Sequence, residues 1–411
     1  MKITPVKGTA DYLPSEVLIR DYLQNTILET YRSCGFERIT TPIIEDIENL
    51  DKSDGGENLN LIFKILKRGE KMDEAVASGD PKELCDMGLR YDLTLPLTRY
   101  YANNRAKLPS PFKVIQIDKV YRAERPQKGR MREFVQCDID IIGSNSYTAE
   151  VELITTTAKA LQAIGFDGFN IRINDRQLLR AIIMSAGFAA EDCDSVCISL
   201  DKLDKIAAEG VRAELVDKGF AADKADRLMA AIAVSPFTLD DAQRICGELD
   251  CIANLRRIME LANSLAGGKY AVEYDMTLVR GQGYYTGTVF EISSPKFRGA
   301  IGGGGRYDNL IGKFLGESIP AVGFSIGFER IAGILLEQNY QIPTRKQRLA
   351  VIYNDENFPE ALRRAETLRA QYDVTLVEAP KKLGKLFGKL EEAGYAGCAI
   401  MGQDELKLFG N

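Results

Sequence analysis

The chain has no histidine and no tryptophan among its 411 residues, and the first absence excludes whole classes of chemistry. Histidine general acid and base catalysis, histidine-activated serine or cysteine nucleophiles and histidine-ligated metals are all ruled out. What remains is Arg, Asp, Glu and Tyr, with any metal arriving from solution. Long apolar runs are missing too: no segment approaches the roughly 20 residues that span a bilayer, and the start MKITPVKGTADYLP has no apolar signal core. A cytoplasmic protein without a membrane partner is the default expectation. Cysteine is sparse and scattered, at Cys34, Cys85, Cys137, Cys193, Cys197, Cys246, Cys251 and Cys398. Disulfides are not expected, and the spacings of Cys193, Cys197, Cys246 and Cys251 match no common zinc knuckle. The net charge of -6 argues against a general polycation but leaves nucleic acid open, because phosphate contacts depend on local patches.

What is present suffices for more than one core. At 45% hydrophobic content, two or three domains are the natural expectation. Ser15 to Ser33 carries apolar positions at helical spacing, and FERITTPIIED (Phe36 to Asp46) reads as a strand interrupted by Pro42, which favours an edge or interface. From Glu45 to Met87 the chain is polar and glycine-punctuated, with room for a short hairpin, before LRYDLTLPLTRYYA resumes order. Ala149 to Gly165 has the period of a packed helix and FNIRIND that of a strand. Residues 178–265 read as helical throughout, an inserted module; strand signals return at YAVEYD, YYTGTVFEI and beyond. After a polar connector, RLAVIY, PEALRRAETLRAQ, VTLV, KKLGKLFGKLEEAG and AGCAIMG alternate as a small βαβαβ unit with a parallel sheet.

The segment Lys119 to Ile142, KVYRAERPQKGRMREFVQCDIDII, concentrates charge in a hairpin. Its second strand alternates apolar Val135, Cys137, Ile139 and Ile141 with Phe134, Gln136, Asp138 and Asp140, which predicts one core face and one polar face. With Arg122 and Glu124 at the end of the first strand, a cation, carboxylates, an amide and an aromatic ring share one surface, suited to an anionic, ring-bearing ligand. A solvated sheet face with a charged turn fits the same pattern equally well. IGGGGRYDN (Ile301 to Asn309) is not a phosphate-cradling loop of the GK[ST] type; it fits close backbone approach to a ligand on a sheet, or a plain glycine turn. LVRGQGYYTGTVFEI sets Arg280 before two tyrosines. GFSIGFERIAGILL joins a strand to a helix whose first turn holds Glu329 and Arg330, either reaching for phosphates or forming a surface ion pair. Arg122, Arg280 and Arg330 together favour stabilisation of charge on phosphates.

In this order, Phe36 to Asp46, the Arg122 hairpin and GFERI resemble motifs 1, 2 and 3 of class II aminoacyl-tRNA synthetases. LRYDLT, RPQKGRMREF, QCDID, LVRG with YYTGTVFE, and GGGGRYD narrow the resemblance to the histidyl-tRNA synthetase family, from Val6 to about Met401. It implies an α+β fold. An antiparallel-sheet catalytic domain would occupy 1–177 and 266–337, interrupted by the helical insertion at 178–265, with a linker at 338–347 and a short anticodon-binding-like α/β domain at 348–411. It also implies activation of histidine with ATP and Mg²⁺ to histidyl-adenylate, then transfer to tRNA-His. Arg122 would hold the α-phosphate and the histidine carboxylate, Glu124 and Arg130 would position ATP, and Phe134 would stack on adenine. Arg330 would grip the terminal phosphates and Arg280 would sit near the α-phosphate. The α-amino group would meet Asp92, Thr94 and Gln136, and the imidazole would lie between Asp140, Tyr285 and Tyr307 with Tyr284 alongside. Arg125, Gln127 and Lys128 would approach the tRNA acceptor end. The motif 1 resemblance implies a homodimer; no DNA partner and no editing domain are expected.

Two departures stand out. Gln282-Gly283 replaces the Leu-Asp common in the family, and the family usually adds a strand and a helix after the segment matching GQDELKL, where this sequence reaches Asn411. The second puts the anticodon contact in question. Two other readings stay open: a non-catalytic histidine-binding paralogue serving as the regulatory subunit of ATP phosphoribosyltransferase, and an amino-acid ligase with a non-tRNA acceptor. Retention of the three arginines tells against the first.

Overall fold

Pro14 opens the first helix, Pro14–Ser33, and the residues Leu23, Ile27 and Tyr31, spaced along one helical stripe, are fully buried. The computed structural model describes residues 3–51, 60–127, 129–234, 236–279, 283–343 and 346–410. Two compact units divide the chain, Met1–Tyr340 and Gln341–Asn411.

The strands of the first unit are β1 (Glu37–Arg38), β2 (Ile44–Asp46), β3 (Lys64–Leu66), β4 (Cys85–Leu89), β5 (Phe112–Tyr121), β6 (Glu133–Ile142), β7 (Phe169–Asp175), β8 (Tyr270–Tyr274), β9 (Thr288–Ser294), β10 (Phe297–Arg306) and β11 (Ala321–Gly327). Eight of them form a sheet in the order β1-β5-β6-β11-β10-β9-β7-β8. Its interior is antiparallel, and only the edge pairs β1 with β5 and β7 with β8 run parallel. Between β7 and β8 lie the helices Arg176–Ser185, Cys193–Leu200, Leu203–Asp217, Ala222–Ile232, Leu239–Cys246 and Asp250–Ala266. Their apolar faces join the core formed by one face of the sheet and the Pro14–Ser33 and Thr148–Ala163 helices.

The expected single strand over Phe36 to Asp46 is two. β1 sits at the edge of the large sheet, and β2 belongs to a three-stranded sheet ordered β2-β4-β3. The break falls at Thr41-Pro42, where proline has no N–H for a ladder. The freed carbonyls are taken by Arg90, which is fully buried: Nη1 donates to Thr41 O at 2.7 Å and to Pro42 O at 3.4 Å, Nε donates to Lys119 O at 2.8 Å, and Nη2 pairs with Asp118 at 2.9 Å. One guanidinium thus ties the break to β5. The region after Glu45 is also more regular than its polarity suggested, with β3 and β4 paired antiparallel and the helix Glu70–Ser78 between them.

The glycine run, expected as close backbone approach on a sheet or as a plain turn, is the second half of β10, paired with β9 on one side and β11 on the other. A Cβ on Gly304 would lie 2.8 Å from the Gly323 carbonyl carbon, and one on Gly305 would lie 2.7 Å from Thr288 O. Neighbouring strands therefore approach too closely for side chains here.

In the second unit, β12 (Arg348–Tyr353) runs parallel to β13 (Asp373–Glu378) and β14 (Tyr395–Ile400), as the alternation predicted. A three-residue strand, β15 (Leu406–Leu408), adds antiparallel to β14. It is too short to show a period. The alternating residues of β12 split between two clusters, Ala350 and Ile352 in one and Val351 in the other, so both faces of this sheet are covered.

Candidate active site

The register of β5, β6, β11 and β10 brings the polar residues of the hairpin together. Across the face opposite the core, Asp140 pairs with Val114 and Gly323, and Asp138 with Gln116 and Ser325. In the next strand Gly303 pairs with Ser325 and Gly305 with Gly323. Glycines thus flatten the floor beside the two aspartates, leaving a cleft of about 1680 Å³. Of the two readings of the polar face, the solvated one fails: Asp138 and Asp140 are only 5% and 3% exposed. The segment after β4 covers it, fastened by Gln116 Nε2 to Leu93 O at 2.8 Å and Arg122 Nε to Tyr91 O at 3.0 Å.

At one end of the cleft Asp140 Oδ1 accepts from Tyr307 Oη at 2.7 Å. Tyr284 lies edge-on to Tyr285 and Tyr307, with ring centroids 4.8 and 6.1 Å apart. Burial pushes the Asp140 carboxyl up to about 7, against the lowering effect of the Tyr307 hydroxyl. Asp138 is pushed up as well, first by burial and then by Asp140. Arg306, just before Tyr307, donates from Nε and Nη2 to buried Glu150 at 2.7 and 2.8 Å, which holds that end of β10 in place.

Beside this pocket Asp92 uses Oδ1 to accept from Leu95 N at 3.1 Å, while its Oδ2 is buried without a partner. Burial raises its carboxyl; the Leu95 N–H and then Arg122 oppose this. The Oε1 of Gln136 is likewise buried and unpartnered. Buried acceptors of this kind are costly unless a donor arrives. Asp92, Gln136 and Thr94 all line the cleft, so a donor from a bound ligand would relieve that cost at either oxygen.

The other end is cationic and aromatic. The Arg122 guanidinium lies over the Phe134 ring, 5.1 Å from its centroid. Glu124 pairs with Arg130 Nε at 2.7 Å. Arg330, on the first turn of the helix Phe328–Glu337, donates to the carbonyls of Gly129 and Ala300 and lies over Phe297. Its neighbour Glu329 turns the other way, to a bidentate pair with buried Arg20 at 2.7 and 2.8 Å and to Val135 N at 3.2 Å, which fixes the helix start against β6.

Asp92, Thr94, Arg122, Glu124, Arg130, Phe134, Gln136, Asp140, Tyr284, Tyr285, Tyr307 and Arg330 therefore share one cleft. Arg125 and Gln127 do not line it. They are exposed at the hairpin tip, where Gln127 and Arg130 bridge around Gly129 in the left-handed region. Lys128 and Arg280 lie outside the described residues. Sequence reasoning missed Arg20, Arg90, Gly323 and Ser325; for the last two, the signal was their place in a strand whose register no local pattern fixes.

Among residues 8–331 the chain matches the sequence profile described as histidyl-tRNA synthetase. The chain belongs to the histidyl-tRNA synthetase family. A histidine–tRNA ligase from Leifsonia xyli is 47% identical over 347 residues, 81% of this chain and 80% of the relative. One from Cytophaga hutchinsonii is 35% identical over 421 residues, 97% of this chain and 92% of the relative. The crystal structure of histidyl-tRNA synthetase from Nostoc sp. PCC 7120 superposes with a TM-score of 0.81 at 28% identity, covering 98% of this chain and 93% of that one. The family's α+β fold, a central antiparallel-rich sheet with a C-terminal sheet unit, is the fold described above.

The raised Asp140 carboxyl has a consequence for stability. A carboxyl whose folded pKa lies above its unfolded value, here about 7 against roughly 4, stabilises the fold fully below the lower value and loses that contribution as pH rises through the higher one. Asp140→Asn should gain on the wild type by roughly 3 kcal/mol in urea unfolding between pH 5 and pH 8, since about 1.4 kcal/mol accompanies each unit between pH 5 and the folded pKa of about 7. A difference that stays flat across that window would count against the assignment.

Proposed function

We propose that this chain activates histidine with ATP to histidyl-adenylate and transfers the histidyl group to tRNA-His. The observation that carries the reading is the single cleft that joins unpaired buried acceptors and an Asp140–Tyr307 pair at one end to Arg122, Phe134, Glu124–Arg130 and Arg330 at the other. In this reading the α-ammonium group meets Asp92 Oδ2 and Gln136 Oε1, with Thr94 beside them. The imidazole has one N–H and one lone pair, which a carboxylate and a phenol can match, so it lies among Asp140, Tyr285 and Tyr307, with Tyr284 walling the pocket.

Adenine stacks on Phe134, Glu124 and Arg130 position the nucleotide, and Arg330 exchanges its contacts to the Gly129 and Ala300 carbonyls for the terminal phosphates. Arg122 then spans the histidine carboxylate and the α-phosphate. A carboxylate oxygen attacks the α-phosphorus, the bond to the bridging oxygen breaks and pyrophosphate leaves; the tRNA terminal hydroxyl next attacks the activated carbonyl and releases AMP. The protein contributes alignment and charge rather than covalent chemistry. Arg280 would add a second cation at the α-phosphate. Mg²⁺ would come with ATP and neutralise phosphate charge.

The hairpin tip carrying Arg125, Gln127 and Lys128 is the proposed approach for the tRNA acceptor end. Exposed Ile43, Ile44, Leu66 and Met87 on or beside the three-stranded sheet support a homodimer, and the reactants place the work in the cytoplasm. Among the described residues no helix is long and apolar enough to cross a membrane. The retained phosphate-facing arginines favour catalysis over a purely regulatory histidine-binding role. Purified protein should exchange pyrophosphate into ATP only when histidine is added, and should charge tRNA-His. Folded protein that binds histidine without exchange would instead support the regulatory role, and exchange without charging a different acceptor.

A further inference from the structure

Three buried carboxyls line the cleft, and the reading above gives ligands to Asp92 and Asp140 but none to Asp138. A buried carboxyl is costly without hydrogen bonds, so its partners are informative. Across the sheet it faces Gln116 and Ser325. Gln116 is committed elsewhere, its Nε2 donating to Leu93 O at 2.8 Å and its Oε1 accepting from Thr41 Oγ1 at 3.2 Å. Ser325, the cross-strand neighbour of Asp138, accepts at Oγ from Gln136 Nε2 at 3.1 Å. The same amide nitrogen is 3.5 Å from Asp138 Oδ1.

These contacts have a direction. Gln136 Nε2 donates to both, and with Asp138 ionised its Oδ1 can only accept. Both groups below the Gln136 nitrogen are then acceptors. The amide has one satisfied orientation, NH₂ down onto Asp138 and Ser325, Oε1 into the cleft, where it is buried and unpartnered. Turned over, the amide would offer N–H groups to whatever binds there. A substrate ammonium distinguishes the two states sharply, since it has donors only.

We propose that Asp138 is a positioning residue for histidine activation, fixing the Gln136 amide, together with Ser325, with its oxygen towards the substrate α-ammonium group. The inference rests on the proposed histidine activation. Burial and Asp140 push the Asp138 carboxyl up, and the arriving ammonium draws it back towards the acceptor-only carboxylate. Asp138→Asn reverses the logic: the new amide can offer an N–H where the carboxylate could only accept, and the Gln136 oxygen can turn out of the cleft to take it.

The test is a double-mutant cycle between Asp138→Asn and Gln136→Glu, because a carboxylate at 136 has two acceptor oxygens and nothing to orient. In the exchange assay Asp138→Asn should raise KM for histidine about tenfold or more and leave KM for ATP within about twofold, as expected for one hydrogen bond to a charged group. Added to Gln136→Glu, the same substitution should change histidine KM by less than about twofold. An equal penalty in both backgrounds, or no penalty in the first, overturns the inference. Calorimetric titration of the four proteins with histidine gives Kd values that test the same cycle without catalysis. A wild type that binds histidine but does not exchange sinks the catalytic reading alone, whereas a Gln136→Glu protein that binds no histidine sinks the orientation scheme.

Discussion

Arg122→Ala should lower histidine-dependent pyrophosphate exchange by about 10³-fold or more, the scale set by removing a preorganised charge-stabilising donor from a reacting centre. The guanidinium is held before any ligand arrives. Its Nε is fixed by the Tyr91 carbonyl and its face lies over Phe134, so it needs little reorganisation when charge builds on the α-phosphate oxygens. Lysine cannot reproduce this placement: an ammonium has no plane to stack and no fork to span a carboxylate and a phosphate. Arg122→Lys should therefore recover little of the loss. Because Arg122 also anchors the segment after β4, the measurement pairs exchange with near-UV circular dichroism and urea unfolding. A folded Arg122→Ala protein within tenfold of wild type would remove Arg122 from the reaction.

Gly323→Ala should raise KM for histidine by about 10²-fold with KM for ATP little changed, because displacement of a contact group by ~1 Å costs about that much. Gly323 lies directly across from Asp140 on β11, and a Cβ there would lie 2.8 Å from Asp140 Cγ and 3.4 Å from Tyr307 Cε1. Asp140 has nowhere to retreat, being buried and bonded to Tyr307. Separate titration of the two substrates decides the matter. Equal loss for histidine and ATP would indicate a general disturbance of the sheet, and an unchanged histidine KM would show that Asp140 does not touch the imidazole.

Much of the site was legible because β6 alternates and its chemistry is carried on one parity. The order of Phe134, Gln136 and Asp140 along the ten residues of β6, with Arg122 across the hairpin, already grouped the residues that could share a ligand. Periodicity says which residues share a face, however, and not what covers it. That is why the alternation left a solvated face and a ligand-binding face equally open for Asp138 and Asp140, and the segment carrying Tyr91 and Leu93, which closes over them, decides between the two. The contribution of Gly323 depends on pairing with a strand about 180 residues away in sequence, which no local pattern encodes. Phe36 to Asp46 illustrates the converse. Its strand-like composition was read correctly at both ends, but Arg90, a residue 48 positions beyond Pro42, binds the carbonyls at the break and lets the halves serve different sheets.

The pocket that joins Asp140 to Tyr307 is built entirely without imidazole, in a chain that contains none. Any ring proton resonance of the imidazole type recorded from this protein with its amino acid bound must then come from the ligand. Its chemical shift and nitrogen couplings would report directly which ring nitrogen carries the proton in the pocket, free of the overlapping signals that a protein's own histidines impose.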